Sequence, residues 1–174
     1  MGESPRSVEA MCLPHLRAAY NLARWLTRDD HDAEDLVQEA FLRAVKYFDG
    51  AFEIANARAW ILRIVRNTFY TSRGRARAED GAASFDETIH AVDTFDPEAS
   101  LLRMADRELV REALLDLGLE FREAIVLREI EGLTYKEIGE VAGVPVGTVM
   151  SRLARARKAL AAALSKRMKK EPSP

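Results

Sequence analysis

Two carboxylates, Asp35 and Glu39, lie four residues apart on a predicted helix and therefore share one of its faces. Paired carboxylates can serve acid–base catalysis, but this face otherwise carries Gln38 and the apolar Leu42. The sequence contains no phosphate-binding glycine loop, no cluster of metal ligands and no nucleophile motif. We therefore predict a protein that is not an enzyme and needs no cofactor or metal. The acidic face is either a docking surface for a partner or an ordinary solvated face.

A second set of side chains would suit contact with a nucleic acid. Residues 57–73 predict a helix with an apolar side that includes Trp60. Arginines contact phosphates, a tyrosine ring can stack on a base, and an asparagine offers both a donor and an acceptor. Together these three residue types predict a face that binds single-stranded nucleic acid. The alternative is a cationic solvated helix with Tyr70 half buried. The residues of this face are Arg63, Arg66, Asn67, Tyr70 and Arg73.

The stretch TYKEIGEVAGVPVGTVMSRL, residues 134–153, predicts a helix-turn-helix. Thr134 and Glu137 form a capping box at the start of its first helix. Gly139 allows the two helices to approach closely, Gly143 tolerates the tight turn, and Val149 follows where the second helix packs back on the first. This spacing favours a helix-turn-helix over a coincidental pair of antiparallel helices.

The second helix of this motif is predicted to present a polar face to solvent. In a recognition helix, the early residues reach base edges and the later cations bind phosphates. Arg152 and Arg155 are the best candidates for contact with guanine. The predicted outward residues are Thr148, Ser151, Arg152 and Arg155, with Arg157 and Lys158 beside them.

Charge is sorted along the chain, although 26 basic and 28 acidic side chains give a net charge of −2. Residues 58–78 contain six arginines and no acid, and residues 145–170 contain eight basic side chains and no acid. Residues 79–98, which contain seven acids and no base, predict a flexible linker, or alternatively a solvated loop. Because phosphate binding depends on local positive density, the net charge does not exclude nucleic acid.

Together these patterns predict an all-α protein of two small helical domains, at residues 1–78 and 99–170, joined by a flexible acidic linker at 79–98. The second domain contains the helix-turn-helix. Its first helix is predicted to begin at Asp96 and Pro97 and to run to about residue 117, and the next to span about residues 120–131 and stop at Gly132. In the first domain, a helix capped by Asp32 carries the core stripe Leu36, Val37, Ala40, Phe41, Ala44, Val45 and Phe48.

The sequence favours a cytoplasmic protein. Its longest purely apolar run, residues 159–164, is too short to span a bilayer, and no leader of the signal-peptide type opens the chain. The single cysteine, Cys12, excludes an internal disulfide and fits a reducing compartment.

Three stretches, in their order and spacing, resemble the bacterial sigma factors of the extracytoplasmic-function (ECF) group: DAEDLVQEAFLRA, RAWILRIVRNTFYTSR and LREIEGLTYKEIGEVAGVPVGTVMSRLARAR. The resemblance covers most of the chain. It implies a factor that confers promoter specificity on RNA polymerase and that has an anti-sigma partner. The alternative is a stand-alone helix-turn-helix regulator with an N-terminal domain that dimerises or binds a ligand.

The resemblance also implies a role for each surface. The face of Asp35, Gln38 and Glu39, with Leu42 adjoining, would dock on the clamp helices of the largest polymerase subunit. The arginine-rich helix would hold the melted minus-ten element, with Asn67 on an extruded base, and the recognition helix would read the minus-thirty-five element. Met150 departs from the family because a basic side chain often stands at its position.

Overall fold

The computed structural model describes residues 7–48, 54–80 and 101–170. The described residues form helices and contain no β-strand, which confirms the predicted all-α fold. The predicted helix start at Asp96 and Pro97 and most of the acidic linker lie outside these ranges. In chain order the helices are α1 (Val8–Cys12), α2 (Leu16–Thr27), α3 (Asp30–Tyr47), α4 (Ala57–Asp80), α5 (Leu101–Leu115), α6 (Leu119–Ile125), α7 (Tyr135–Ala142) and α8 (Val146–Lys170).

In the N-terminal half, α2, α3 and α4 pack against one another around a core of aliphatic side chains. Leu22 and Leu26 of α2 meet Leu36 of α3 and Leu62 and Val65 of α4 in this core. The four-residue steps that predicted these elements also place their apolar sides inward. Three helices are thereby fixed relative to one another, so the polar faces of α3 and α4 have defined positions.

The start of α3 corrects the predicted cap. Arg28 adopts a left-handed conformation, with φ of 63°, and ends α2. The chain then turns extended at Asp29, whose carboxylate accepts a hydrogen bond from the backbone N–H of Asp32 at 2.8 Å. Asp29 therefore caps the helix, and Asp32 lies inside its first turn. The prediction was wrong because several neighbouring aspartates could cap, and the position of the turn selects one.

Two further predictions about the N-terminal half were wrong. Val45 was expected in the core stripe of α3, but it is 46% exposed because it lies at the edge of the face that meets α2 and α4. Helix α4 was expected to end near Arg73, but it continues to Asp80, into the first two residues of the predicted linker. The added residues are mainly arginine, alanine and glutamate, which favour helix, and none is proline.

In the C-terminal half, α8 packs on α5, α6 and α7. The helix predicted over residues 120–131 begins as α6 and continues as one π-helical turn, Val126–Ile130, in which the N–H of Glu131 donates to the carbonyl of Val126 at 2.9 Å. Gly132 then reverses the chain with φ of 68°, as its predicted role requires. Helix α5 ends at Leu115, slightly before the predicted end, and Gly118 precedes α6.

The helix-turn-helix formed by α7 and α8 is confirmed in its details. Thr134 and Glu137 make both bonds of the capping box, at 3.2 and 2.7 Å. Gly143 has φ of 67°, in the left-handed region. A Cβ atom on Gly139 would lie 2.8 Å from the carbonyl oxygen of Val144, so only glycine fits this close approach. Val149 is buried where α8 packs back on α7.

The two halves pack directly against each other. Helix α4 packs on α7, and α2 packs on α6. Their aliphatic side chains form one continuous core, in which Leu22 and Leu26 join Leu114 and Ile125. Within the described residues, no helix is both long and apolar enough to cross a membrane. The arrangement of the halves decides which of the predicted faces solvent can reach.

Candidate nucleic-acid and partner interfaces

The acidic face of α3 is displayed as predicted. Asp35, Gln38, Glu39 and Leu42 are all exposed on one side of the helix, and Leu42 is 68% exposed. Glu39 pairs with Arg43 at 2.8 Å, whereas Asp35 has only a 3.7 Å contact with His31. Val45, three residues after Leu42, extends the same side as a second exposed apolar group. The surface is therefore apolar with an acidic margin, which suits a protein partner better than water.

The cationic face of α4 is divided by the packing of the two halves. Arg63 and Asn67 are exposed to solvent. Arg73 is also exposed, with its guanidinium 5.9 Å from the centre of the Phe69 ring. These three side chains remain accessible to a phosphate or a base.

The other two residues of this face, Arg66 and Tyr70, point towards the C-terminal half. Arg66 donates to one carboxylate oxygen of Glu123, and the Tyr70 hydroxyl donates to the other at 2.9 Å. The guanidinium of Arg66 also lies 4.4 Å from the centre of the Tyr70 ring. Burial, reinforced by the Glu123 charge, raises the pKa of the Tyr70 hydroxyl well above its ordinary value of 10. Tyr70 is therefore half buried, whereas Arg63, Asn67 and Arg73 on the same helix are exposed.

The recognition helix α8 presents a narrower polar face than predicted. Ser151, Arg155 and Lys158 are exposed, while Thr148 is only partly exposed. Arg152 was expected to project outward, but most of its side chain is covered and it lies 3.8 Å from Glu120. This difference arises because α6 packs beside that flank of α8.

The opposite flank of α8 combines a paired cation with exposed apolar groups. Arg157 is exposed but donates to Glu129 at 2.7 Å. On the first turns of the helix, Val146 is 42% and Met150 is 54% exposed. Gly147 between them has no heavy atom near the position of a Cβ. The end of α8 that would reach base edges is therefore uncharged, and its cations follow one turn later.

Sequence reasoning missed the acidic residues of the C-terminal half that bind the N-terminal half. Glu131 accepts a hydrogen bond from Arg58 at 2.9 Å and another from Asn21. Glu137 accepts one from Asn56 at 2.7 Å, and the backbone N–H of Thr134 and the Asn56 amide both lower the pKa of that carboxyl. The only available signal was the excess of acid in residues 99–144, which does not identify partners.

Arg122 adds a buried contact between the halves. Its guanidinium donates to the carbonyl of Trp25, near the end of α2, at 2.9 Å. It also donates to the carbonyl of Leu117 at 3.2 Å. Carbonyls at a helix C-terminus lack partners within their helix and favour a cation. The two halves are thus held together by charged and polar groups as well as by the continuous core.

Two family models match the two halves. Sigma-70 region 2 matches residues 12–79, which contain α3 and the cationic face of α4. Sigma-70, region 4 matches residues 107–160, which contain the helix-turn-helix. The fold and its surfaces therefore define a helical protein of the sigma-70 class.

Curated relatives narrow this class. The chain is 39% identical over 161 residues to the ECF RNA polymerase sigma factor SigE of Mycolicibacterium smegmatis, a match that covers 87% of this chain and 59% of SigE. It is 35% identical to the ECF RNA polymerase sigma-E factor of Haemophilus influenzae, covering 79% of this chain and 76% of that protein. It is 34% identical to the RNA polymerase sigma-H factor of Pseudomonas aeruginosa, covering 91% and 86%. The chain belongs to the ECF sigma factors, a family of transcription regulators.

Two solved structures are similar over most of the chain. One is the sigma factor RpoE in complex with the anti-sigma factor NepR from Bartonella quintana, with a TM-score of 0.73 and 28% identity, covering 92% of this chain and 98% of that chain. The other is CnrH in complex with the cytosolic domain of CnrY, with a TM-score of 0.59 and 28% identity, covering 94% and 90%.

Proposed function

We propose that this chain directs RNA polymerase to promoters with two separate recognition elements, which its two halves contact. The observation that carries the proposal is the placement of the surfaces. Each half matched by a sigma-70 model has a cationic helix face, and the N-terminal half also has an exposed acidic and apolar face on α3. Linking several weak contacts in one complex gives strong binding without a tight site on either half.

The α3 face is assigned to the polymerase. Leu42 and Val45 supply apolar area, and Asp35 and Gln38 supply the polar margin. An exposed leucine beside exposed acidic side chains is poorly suited to water and well suited to a basic, partly apolar surface. By resemblance to the family, that surface belongs to the clamp helices of the largest subunit.

The α4 face is assigned to the melted minus-ten element. Arg63, Asn67 and Arg73 are exposed. The two arginines suit contact with phosphates, and the amide of Asn67 suits pairing with the edge of an extruded base. Extruding a base costs a few kcal/mol, which contacts in a pocket recover in part. Arg66 and Tyr70 would complete the face, the second by stacking on a base.

The α8 face is assigned to the minus-thirty-five element. Arg155, Lys158 and Ser151 are exposed. The two cations suit contact with guanine or phosphate, and the serine suits contact with base edges or the DNA backbone. Arg152 and Arg157 would contribute from the flanks after exchanging their present carboxylate partners for DNA. Met150 is exposed at a position where the family often has a basic side chain. Its apolar side chain is suited to contact with a thymine methyl group.

An anti-sigma protein is the second proposed partner, and the cytoplasm the proposed location. The two similar solved structures are sigma factors bound to an anti-sigma factor and to the cytosolic domain of CnrY. A partner that covers the α3 face or the cationic faces would keep the chain from polymerase or promoter.

The test is initiation by sigma-free polymerase. Purified chain would be added to core enzyme on a library of genomic fragments, and transcript starts would be mapped. We expect starts that share two spaced sequence elements and that are absent without the chain. A stand-alone regulator would add no start unless another sigma factor were present, and that result would overturn the proposal.

A further inference from the structure

The sulfur-containing side chains that the structure describes differ in their access to solvent. Cys12 is completely buried, and burial, reinforced by the charge of Glu9, raises the pKa of its thiol. Because oxidants attack the thiolate form of cysteine, this thiol is protected. Met11 is only partly exposed, whereas Met150 is 54% and Met168 is 65% exposed. Among the described residues, an oxidant in solution therefore reaches these two methionines of α8 most readily.

Met150 lies on the first turns of α8, where little shields its thioether. Gly147 and Ala154 stand three residues before it and four residues after it, so both share its side of the helix. Both are small and exposed, and no heavy atom lies within 4 Å of the position that a Cβ would take on Gly147. Ser151, the next residue of the chain, is exposed as well. The sulfur of Met150 is therefore open to solvent on the surface assigned to the minus-thirty-five element.

We propose that Met150 is a site of reversible oxidation, at which a peroxide converts the thioether to a sulfoxide and thereby weakens binding of the minus-thirty-five element. The inference rests on the proposed function, because that function assigns the start of α8 to this element. In the reaction, a lone pair of the sulfur attacks one peroxide oxygen and the O–O bond breaks. The attacked oxygen stays on sulfur, and its proton passes to the other oxygen, which leaves as water. The sulfur is oxidised by two electrons and the peroxide is reduced by two.

The sulfoxide changes the apolar side chain of Met150 into a polar one. Its oxygen accepts hydrogen bonds, but a thymine methyl group has no donor to offer. The side chain of Val146, 42% exposed one turn earlier, has none either. A polar group that loses its water and gains no partner costs free energy of binding. The contact that favours the reduced methionine therefore disfavours its sulfoxide.

The cations of the same helix are not changed by this reaction. Oxidation of a thioether adds no net charge, and Arg155 and Lys158 stay exposed and positive. Because the attraction of these cations for phosphates depends on charge, the salt dependence of DNA binding should be the same before and after oxidation. The loss falls on the recognition of bases.

The experiment compares reduced and peroxide-treated forms of the full-length chain. Each form is freed of peroxide with catalase, combined with core polymerase and tested for binding to a promoter found by mapping transcript starts. Peptide mass spectrometry measures the sulfoxide at each methionine. We expect oxidation to weaken binding by the wild-type holoenzyme about tenfold, which corresponds to about 1.4 kcal/mol, and to abolish its preference for thymine over uracil. Treatment with methionine sulfoxide reductases A and B should restore both.

Matched variants identify the sulfur that is responsible. Met150→Leu has a side chain of similar volume that peroxide does not oxidise, so its affinity, whatever the value before treatment, should be the same afterwards. Met168→Leu keeps Met150 and should lose affinity on oxidation as the wild type does. Binding is measured at several salt concentrations for all three proteins, and the slope should not change on oxidation.

Four results would overturn the proposal. A loss that persists in Met150→Leu, or that is absent from Met168→Leu, would assign the effect to another sulfur. Unchanged binding by wild-type protein whose Met150 is fully oxidised would show that the sulfoxide is harmless. A Met150 that stays reduced while Met168 is oxidised would show that its thioether is shielded. A change in circular dichroism on oxidation of the wild type would show a loss of fold in place of a lost contact.

Failure of this inference is distinguishable from failure of the proposed function. If the reduced wild-type chain initiates transcription with core polymerase and its oxidised form binds the promoter equally well, only the oxidation site is wrong. If the reduced wild-type chain initiates nowhere, the proposed function is wrong, and the inference that rests on it falls with it.

Discussion

Arg66 and Glu123, 57 residues apart in the chain, form an ion pair across the two halves of the protein and are both largely buried. The arginine belongs to the cationic face of α4, and the glutamate belongs to α6 in the C-terminal half. Part of the chain's segregated charge is therefore neutralised within the molecule. Arg66 thus has an acidic partner within the protein, although its helix face was predicted from the sequence to bind a nucleic acid.

Substitution of Gly139 tests the helix-turn-helix packing. Gly139→Ala should lower the free energy of unfolding by about 1–3 kcal/mol, because its Cβ would lie 2.8 Å from the Val144 carbonyl oxygen and the backbone must shift. Urea denaturation would measure the change. The control is Gly147→Ala, where no heavy atom lies within 4 Å of the added group. Equal losses from both alanines would show that the close approach is unimportant.

Alanine at Arg155 tests the face of the recognition helix. Arg155→Ala should weaken binding of polymerase holoenzyme to the minus-thirty-five duplex by about 1–3 kcal/mol if this arginine pairs with guanine. Arg152→Ala should cost less, because Arg152 is mostly covered and lies beside Glu120. Filter binding at several salt concentrations would measure both. Arg167→Ala is the control, since Arg167 pairs with Glu112 and Asp116 near the far end of α8; a loss as large as that of Arg155→Ala would contradict the assignment.

Met150 makes a prediction about base identity. Replacing thymine by uracil removes only a methyl group, so each thymine of the upstream element can be tested in turn. At one position the substitution should weaken the binding of the wild-type holoenzyme by about 0.8 kcal/mol, the free energy of burying one methylene-sized group. Met150→Ala should remove this preference, whereas Met168→Ala should keep it, because Met168 is also exposed but lies on the last turns of α8. A wild-type protein indifferent to every thymine methyl would refute the role.

The α3 face is tested by changing exposed residues only. Asp35→Lys with Leu42→Ser should reduce co-purification with core polymerase at least about tenfold, since truncating a hot-spot residue of an interface costs about 2 kcal/mol or more and a tenfold change needs about 1.4 kcal/mol. The fold should be unaffected, because both side chains are exposed. Glu39 is left intact because it pairs with Arg43.

The control for this change is Asp106→Lys, a charge reversal at an exposed residue of α5. Circular dichroism and the denaturation midpoint should match the wild type for both proteins. Normal co-purification of the Asp35 and Leu42 double variant would place the polymerase contact elsewhere.

Features set by local geometry were predictable from the sequence. The capping box of Thr134 and Glu137 and the left-handed conformations of Gly132 and Gly143 need only neighbouring residues, and all are observed. The close approach at Gly139 was also predictable, because a small residue at that spacing has few other uses in a helix pair. Helical period likewise placed Asp35, Gln38 and Leu42 on one exposed face.

Features that depend on contacts between distant residues needed the tertiary structure. Sequence period assigns Arg66 and Tyr70 to the same face as Arg63, but only the packing of α6 against α4 gives them Glu123 as a partner. Packing also covers Arg152 and leaves Val45 exposed.

The physical reason for this division is the range of each interaction. A cap or a positive φ is decided within a few residues, where chain connectivity fixes the geometry. A buried ion pair such as Arg66 with Glu123 is decided by how two preformed surfaces meet, and many acids in residues 99–144 could have met this arginine. The sequence by itself determined the helices, their faces and the family, and the tertiary structure decided which of the predicted cations remain exposed to solvent.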